Sequence, residues 1–338
     1  VDESIISHRL MGKYEPNSDT FKALIDKNID LNEFKLKPYP FLLANTFEDS
    51  IKEINFTEYQ YEWKYDGIRS QIIKRSNNLS IWSRGEELVS NTFPDLLRIT
   101  SLIEDDFVLD GEILIWDSIK NRPKNFSSLQ KRLGRKSPSQ KLQNELPVCF
   151  VAYDILELNS EDIRNNALSM RRSYLESCFV KWNINNKGSF KDKFKISPLI
   201  YLYSWEELEK LKNLSRKNNT EGLVIKYKDS KYLSGRRAGN WWKYKVDPMQ
   251  LDAVLIYAKI GTGKRADLYT DYTFGLWKDG ELITFAKAYS GLTNEEIVEL
   301  DKWIRKNTVN KFGPVRSVKP ELVFEIAFEN IQLSNRHK

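Results

Sequence analysis

Residues 64–69, with the sequence Lys-Tyr-Asp-Gly-Ile-Arg, constrain the fold more than any other stretch of this chain. They lie between two runs of strand-like residues, so the pattern predicts a strand that carries a lysine into a turn. Gly67 has no Cβ and lets the backbone bend or approach a ligand closely. Asp66 can then orient the Lys64 amine, and Arg69 can hold a phosphate or a ribose. A short motif of this kind is as often a plain surface charge, so its context decides.

The composition indicates a folded protein with an anionic partner. With 338 residues, the chain can form two domains. Hydrophobic residues make up 41% and charged residues 30%, which is typical of globular proteins. No apolar run approaches the ~20 residues of a membrane helix, so no membrane partner is expected. The net charge of +6 comes from clustered basic residues, which favours a polyanionic partner.

Cysteine usage indicates the cellular compartment. Cys149 and Cys178 have neither the spacing of a metal site nor that of a disulfide framework. A reducing environment, and therefore a cytoplasmic location, is the simplest assignment.

The first two thirds of the chain mix helices and strands. A helical segment is predicted within residues 1–30, with Ser18 or Asp19 as its N-cap, before the Pro-Tyr-Pro stretch at 38–40. Further along, strands are predicted at 71–82, 106–116, 147–156 and 221–226, and helices at 94–103 and 204–219.

After residue 247 the pattern changes to short strands around one helix. Strands are predicted at 251–260, 270–277, 281–289 and 318–328. Thr293, followed three residues later by Glu296, predicts a capping box at the start of the helix. This arrangement fits a small Greek-key barrel such as an OB-fold, although many small β-domains have a similar strand count.

Charged and aromatic residues follow Lys64 in an order that packing does not require. They are Arg84, Glu112, Tyr153, Glu221, Lys243 and Lys245. Taken singly, each is compatible with a purely structural role, such as an acid at a strand edge, a core tyrosine or lysines that cover apolar surface. Taken together, they predict one pocket, because Lys243 and Lys245 are two apart on a strand and share a face.

The chemistry of this set favours attack by a lysine on phosphorus. A lysine must be uncharged to act as a nucleophile, and neighbouring cations disfavour its ammonium form. The same cations stabilise negative charge on a phosphorus centre during attack. Glu112 and Glu221 supply oxygen atoms suited to a divalent metal or a ribose hydroxyl.

The order and spacing of these motifs resemble the covalent nucleotidyltransferase superfamily, specifically ATP-dependent DNA ligases. The resemblance implies an α+β fold, with an adenylation (nucleotidyltransferase) domain of antiparallel sheets flanked by helices at 38–247 and an OB-fold β-barrel at 248–338. Residues 1–37 are then a helical lead or junction, and residues 8–12 resemble the junction after the N-terminal DNA-binding domain of bacterial ligases. That domain, and the last basic motif of the OB-fold, are expected to be missing here.

The resemblance also implies how ATP is held. Glu62 matches the residue that reads the adenine amino group, and Tyr153 the aromatic residue that stacks on adenine. Arg69 matches the residue that contacts the ribose and the nicked strand, and Glu112 the acid that holds the ribose. Arg84 is similar to the arginine of the next motif and is assigned to ATP binding.

By the same resemblance, Lys64 is the nucleophile that becomes linked to AMP. Lys243 and Lys245 match the catalytic pair that contacts the α-phosphate. Glu221 matches the metal-associated acid, and together with Glu112 it is expected to bind Mg²⁺, or alternatively Mn²⁺. ATP is the expected AMP donor.

The expected function is the sealing of nicks between a 5′-phosphate and a 3′-hydroxyl in DNA repair, replication and recombination. A basic helical segment at 126–136 has apolar residues on one face and is predicted to contact phosphates. The predicted DNA-binding residues are Arg69, Lys131, Arg132, Arg135, Lys136, Arg236 and Arg237. We expect a monomeric, nucleoid-associated enzyme whose partner is nicked duplex DNA.

Two alternatives remain open from the sequence. One is a related nucleotidyltransferase that acts on RNA, either an RNA ligase or an mRNA-capping guanylyltransferase. Glu62 favours adenine over guanine only weakly, because guanine also carries an amino group. The other is an inactive nucleic-acid-binding module, since an OB-fold with basic patches binds strands unaided. The complete set of lysines and glutamates argues against this second alternative.

Overall fold

The computed structural model describes residues 3–12, 14–26, 36–47, 55–133, 135, 137–185, 189–329 and 331. The chain divides into two compact units, Val1–Val246 and Asp247–Lys338. Predicted residue Lys136 lies outside the described residues.

Helices of the first unit begin with an amino-terminal pair. The helices are α1 (Glu3–Leu10), α2 (Ser18–Ile25), α3 (Pro94–Thr100), α4 (Phe126–Leu133), α5 (Gln140–Glu145), α6 (Leu168–Asn185), α7 (Ser189–Lys193) and α8 (Trp205–Leu214). The prediction that Ser18 or Asp19 caps α2 is wrong. The N-cap is Asn17, whose side-chain oxygen accepts hydrogen bonds from the backbone N–H groups of Asp19 and Thr20. Asn17 has the extended backbone that an N-cap needs.

Strands of the first unit form two main sheets. The strands are β1 (Leu42–Leu43), β2 (Asn45–Thr46), β3 (Tyr59–Tyr65), β4 (Ile68–Arg75), β5 (Asn78–Ser83), β6 (Phe107–Asp117), β7 (Arg122–Pro123), β8 (Val148–Leu158), β9 (Glu161–Asp162), β10 (Phe194–Ile196), β11 (Thr220–Tyr227), β12 (Gly235–Arg236) and β13 (Trp241–Lys245). The larger sheet has the order β10-β8-β6-β4-β5, and the smaller one β2-β13-β11-β3. β3 and β4 are consecutive in the chain, yet they belong to different sheets.

The chain crosses between the two sheets at Asp66 and Gly67. A Cβ on Gly67 would clash with the carbonyl oxygen of Ile113 and lie 2.6 Å from a methyl carbon of Leu114. Only glycine allows so close an approach of the backbone to β6. The crossing therefore places Lys64, at the end of β3, and Arg69, at the start of β4, on neighbouring sheets.

A large apolar core supports the larger sheet on its helical side. It joins side chains of the sheet strands, such as Phe107 and Phe150, with Trp182 of α6 and Phe190 of α7. All four side chains are at most 2% exposed. Burying aromatic side chains of this size is worth about 2 to 3 kcal/mol each, which fixes the strands that carry the site.

In its described residues, the second unit is a curled antiparallel sheet with one α-helix. Its elements are β14 (Met249–Ile260), β15 (Tyr269–Lys278), β16 (Glu281–Ala288), α9 (Asn294–Lys306), β17 (Thr308–Phe312), β18 (Val315–Val318) and β19 (Val323–Phe328). The sheet order is β16-β15-β14-β18-β17, and β14 also pairs with β19. The long strand β14 thus changes partners along its length, as expected for an OB-fold half-barrel. The predicted α+β fold class is confirmed.

Two predicted strands are interrupted. The run at 71–82 forms the hairpin β4–β5, because Ser76 takes a left-handed backbone conformation with φ 55°. The run at 318–328 divides into β18 and β19 around Pro320, which cannot donate a ladder hydrogen bond. The predicted capping box of Thr293 and Glu296 is present at the start of α9.

None of the helices in the described residues is long and apolar enough to cross a membrane.

The prediction that Arg132 contacts DNA is wrong, because this side chain points into the core. It is fully buried and forms an ion pair with Asp95, and its Nη1 donates 2.9 Å to the carbonyl oxygen of Leu146. Lys193 also pairs with Asp95 at 3.1 Å. A buried arginine with these partners holds α4 in place and cannot reach a phosphate outside. Neighbouring Lys131 is exposed.

We expect Arg132→Ala to lower the free energy of unfolding by about 3 kcal/mol, because it leaves the buried Asp95 carboxylate with only part of its compensation. Urea unfolding at pH 7 measures the change. The control Lys131→Ala, on the same helix but exposed, should stay within about 0.5 kcal/mol of the parent protein. Equal effects of the two substitutions would contradict the structural role of Arg132.

Candidate active site

A cavity of about 540 Å³ in the first unit brings strands of both sheets together. We call it the central cavity. Predicted ATP-binding residues that line it are Glu62, Lys64, Arg69, Arg84, Glu112, Tyr153 and Lys243. Residues of its lining without a prediction for ATP include Met11, Phe41, Glu86, Lys226, Arg236 and Trp241.

Lys64 lies at the end of β3 and forms an ion pair with Glu221 of β11. The Glu221 carboxylate also contacts Lys245 Nζ at 3.4 Å. Burial alone would raise the pKa of Glu221, but the charges of Lys64 and Lys245 outweigh it and hold that pKa below its usual value. Gly222 lies opposite both lysines in the sheet, at φ +139°, a backbone conformation that other residues rarely adopt. The two lysines therefore share one carboxylate.

Asp66, in the crossing between the sheets, adds a second carboxyl to this cluster. Burial and then the charge of Glu221 raise the pKa of Asp66 to about 6. At neutral pH a part of the Asp66 population thus keeps its proton and can donate it to Glu221. Lys64 and Asp66 thus both interact with Glu221, and the orientation of Lys64 by Asp66 stays a prediction.

Glu112 of β6 lies opposite Arg69 of β4 in the register of the larger sheet. Burial raises the pKa of Glu112 to about 8, although the charges of Lys64 and Arg69 oppose the shift. Glu112 therefore carries a proton at neutral pH in the nucleotide-free protein. A ligand that brings positive charge or a hydroxyl donor to this carboxyl would favour its ionised form.

At another part of the cavity wall, Glu62 has an unused acceptor. The side chain is 1% exposed, and its Oε1 accepts hydrogen bonds from Lys226 Nζ at 2.5 Å and Gln60 Nε2 at 3.0 Å. Its buried Oε2 has no hydrogen-bond partner among the described residues. An unsatisfied buried acceptor costs about 1 to 3 kcal/mol, so a ligand amino group that donates to Oε2 would be bound favourably.

Sequence reasoning missed Lys226. Its Nζ lies 4.6 Å from the ring centre of Tyr153 and 4.4 Å from that of Trp241. Burial lowers the pKa of Lys226, while the Glu62 carboxylate opposes the shift. The signal that the sequence offered for Lys226 is a charged residue at the end of the predicted strand at 221–226. Lys226 holds the Glu62 carboxylate and faces the ring of Tyr153, the predicted adenine-stacking residue.

The Arg69 guanidinium is already engaged within the protein. Its Nε and Nη2 donate to Asp110 at 3.2 and 2.7 Å, and its Nη1 donates to the Leu42 carbonyl oxygen at 2.7 Å. It also lies over the Phe41 and Tyr153 rings, 5.2 and 5.7 Å from their centres. These contacts hold Arg69 in the cavity wall, where its side chain is 15% exposed.

Cations gather at the β13 side of the cavity. Burial lowers the pKa of Lys243, and Arg236, Lys64, Lys245 and Arg84 lower it further by their charge. Arg84 and Arg236 line the cavity with Lys243. Arg236 was predicted to contact DNA, but it borders the cavity as well. This concentration of positive charge suits an anionic group such as a phosphate chain.

The predicted metal ligands Glu112 and Glu221 both lie near Lys64, whose positive charge favours their ionised forms, although burial raises the pKa of Glu112 overall. Within the described part of the chain, no group of three or more His, Cys, Asp or Glu side chains is arranged to hold a metal ion. Mg²⁺ usually takes only one or two protein carboxylates and completes its shell with water and substrate phosphates. The two glutamates fit this pattern, and their role as ligands stays a prediction.

Two known protein families match this chain. Residues 41–245 match the ATP dependent DNA ligase domain, and residues 265–337 match the ATP dependent DNA ligase C terminal region. The chain belongs to the ATP-dependent DNA ligase family. The family resemblance expected from the motifs is thus confirmed for this ligase-family chain.

Similar proteins agree with this assignment. The chain is 36% identical over 317 residues to a probable DNA ligase of Koribacter versatilis, covering 89% of this chain and 54% of that protein. It is 30% identical over 308 residues to a DNA ligase of Methanococcoides burtonii, covering 89% and 52%. The chain therefore spans about half the length of these relatives.

Solved structures show the same fold. A mycobacterial DNA ligase D complexed with ATP and MES superposes with a TM-score of 0.50 at 21% identity, covering 88% of this chain and 91% of that one. A Lig E DNA ligase superposes with a TM-score of 0.54 at 18% identity, covering 78% and 88%.

The raised pKa of Glu112 predicts a pH dependence of stability. The folded protein holds this proton up to about pH 8, whereas the unfolded chain releases it near the ordinary value of 4.5. Glu112 therefore stabilises the fold at low pH, and this contribution is lost as the pH rises from about 5 to 8. In Glu112→Gln, the free energy of unfolding should fall less over this range.

Urea unfolding at pH 5, 6, 7 and 8, without nucleotide or metal, measures this difference. Glu145→Gln is the control, because the side chain of Glu145 is 57% exposed, and it should keep the parent's pH dependence. A Glu112→Gln profile parallel to that of the parent protein would mean that Glu112 is already ionised in the folded state.

Proposed function

We propose that this chain is the catalytic core of an ATP-dependent DNA ligase that seals 5′-phosphate/3′-hydroxyl nicks in duplex DNA. The observation that carries the proposal is the position of Lys64 in the central cavity, with an unsatisfied acceptor of Glu62 and a group of cations in the same wall. Such a cavity offers a hydrogen-bond acceptor for the amino group of a base, a lysine nucleophile, and positive charge that binds phosphates.

The base is held by the part of the cavity around Glu62. The free Oε2 of Glu62 accepts the adenine amino group, and Lys226 keeps the carboxylate turned toward the ligand through its 2.5 Å hydrogen bond. Tyr153 stacks on the base, and its ring is supported edge-on by Trp241 at 6.4 Å. Glu112 and Arg69 lie beside this site for contact with the ribose.

The first chemical step links Lys64 to AMP. The neutral Nζ attacks the α-phosphorus, a P–N bond forms, and the bond to the pyrophosphate oxygen breaks. Glu221, which contacts Nζ, is the acceptor that the geometry offers for the proton that Nζ loses as the P–N bond forms. Lys243 and Lys245 stabilise the charge that develops on the phosphate oxygens. When bound, Mg²⁺ supplies further positive charge to the phosphates, and Glu112 and Glu221 would hold it.

The two later chemical steps take place at the same wall of the central cavity. AMP passes from Lys64 to the 5′-phosphate of the nick, and the 3′-hydroxyl then displaces AMP as the new phosphodiester bond forms. Lys131, Arg135 and Arg237 are exposed on the first unit and are proposed to contact DNA phosphates. We propose that the enzyme acts as a monomer on nicked duplex DNA in the cytoplasm, close to the nucleoid.

We expect Lys64→Ala to reduce transfer of label from ATP labelled at the α-phosphate by on the order of 1,000-fold or more, because no other group forms the P–N bond. Sealing of a nick that already carries a 5′-adenylate should persist in part. A denaturing gel measures both. Lys210→Ala, whose side chain is 69% exposed, is the control and should label normally. Normal labelling of Lys64→Ala would overturn the assignment, and preferential labelling by GTP would indicate a capping enzyme.

We expect Lys131→Glu combined with Arg135→Glu to flatten the salt dependence of binding to nicked DNA. Each lost phosphate contact lowers the slope of log affinity against log salt by roughly 0.9, so two contacts lower it by about 2. Labelling by ATP should stay intact. The control is Lys141→Glu combined with Lys210→Glu. These side chains are 86% and 69% exposed, so the control makes the same change of net charge at another place on the surface. If both double variants alter the slope equally, then Lys131 and Arg135 act only through net charge.

A further inference from the structure

The amino-terminal segment Glu3–Leu10, extended by Met11 and Gly12, takes part in the central cavity. We call residues 3–12 the α1 arm. The match to the ligase domain begins only at residue 41, so the arm lies outside it. Nevertheless, Met11 lines the cavity together with Lys64 and Tyr153.

Contacts at the base of the arm hold it against the first unit. His8 Nε2 lies 3.0 Å from the carbonyl oxygen of Lys37, and the His8 ring lies 4.9 Å from that of Tyr39. In return, Lys37 Nζ donates 2.8 Å to the carbonyl oxygen of Arg9. These contacts tie the arm to the segment that leads directly into β1, which is part of the cavity wall.

Arg9 joins the arm to the next helix. Its side chain is buried, and Nη1 donates to the carbonyl oxygens of Ala23, Leu24 and Asp26 at 3.0, 2.9 and 2.7 Å. Carbonyl groups at the end of a helix have no partner within the helix, so a cation there satisfies them. Arg9, which lies two residues before Met11, therefore ties the arm to the end of α2.

The tip of the arm is fitted to the wall of the cavity at Gly12. Its backbone N–H donates 3.2 Å to the carboxylate of Glu86, which also lines the cavity. Gly12 has φ +81°, and a Cβ at this position would lie 2.9 Å from the Trp82 ring. Trp82 is itself held by a 2.5 Å hydrogen bond from its Nε1 to the Leu36 carbonyl oxygen. Only glycine fits this turn without displacing the tryptophan.

The structure assigns Met11 a direct role in the site: we propose that its side chain contacts the nucleoside of bound ATP and that docking of the α1 arm sets the affinity for ATP. Met11 is 8% exposed, although it follows the last residue of a surface helix. A thioether side chain is apolar and packs well on ring systems, so it suits the nucleoside and not the phosphates. This inference rests on the proposed function, because it specifies how ATP is held.

The test measures the KM for ATP and the maximal rate of lysine adenylation in Met11→Ala. We expect the KM to rise about 5- to 20-fold, since a buried apolar contact of this size is lost, while the maximal rate stays within about 2-fold. Met11→Leu keeps the apolar volume and should restore a KM near that of the parent protein. Leu10→Ala is the matched control on the same arm, because Leu10 is 40% exposed, and its KM should not change.

A second readout separates contact with the nucleoside from general loosening of the arm. Inhibition of adenylation by AMP should weaken in Met11→Ala, whereas inhibition by pyrophosphate, which has no nucleoside, should not. Gly12→Ala keeps Met11 but strains the turn against Trp82, so it should also raise the KM for ATP. Thermal unfolding without nucleotide verifies that the variants are folded.

Two results would overturn the inference. The first is an unchanged KM for ATP in Met11→Ala. The second is a rise of the KM in Leu10→Ala equal to that in Met11→Ala, together with an equal loss of inhibition by AMP and by pyrophosphate in Met11→Ala. Failure of the proposed function gives a different result, because the parent protein itself would then take up no label from ATP.

Discussion

The crossing of the chain between two sheets at Asp66 and Gly67 is the constraint on which the site depends. It leaves no room for a Cβ next to β6, and it sends Lys64 and Arg69 into the same cavity from different sheets. If β3 and β4 formed a simple hairpin, both residues would lie on one sheet, and the opposite wall of the cavity would be absent. The large apolar core behind the larger sheet keeps this crossing rigid.

Charged groups in the cavity wall are paired with one another or with neighbouring residues in the ligand-free protein. Glu62 is held by Lys226, Arg69 by Asp110, and Glu221 by two lysines. Burying such groups costs free energy, and pairing recovers only part of it. The remaining cost is concentrated at positions where a ligand would relieve it: the free oxygen of Glu62 and the protonated carboxyl of Glu112. This is the pattern of a site organised in advance for its ligand, in which little rearrangement is needed on binding.

Local patterns predicted much of the secondary structure, because caps, prolines and periodicity act within a few residues. The helix that begins at Pro94 and the capping box of Thr293 agree with the structure. Errors occurred where local signals compete or where packing decides. Asn17 displaced its neighbour Ser18 as a cap, and Arg132 was assigned to the surface because a basic residue on a helix is usually solvated.

The sequence by itself determined the family and the residues of the motif set, because their order and chemical type are properties of the chain. Only the tertiary structure decided how those residues are paired. Lys64 shares Glu221 with Lys245, Lys226 turns Glu62 toward the cavity, and Met11 enters the wall from a segment far away in the chain. These relationships depend on sheet register and on long-range packing, which join Lys64 to Glu221 across 157 positions and Glu62 to Lys226 across 164, and leave no periodic trace in the sequence.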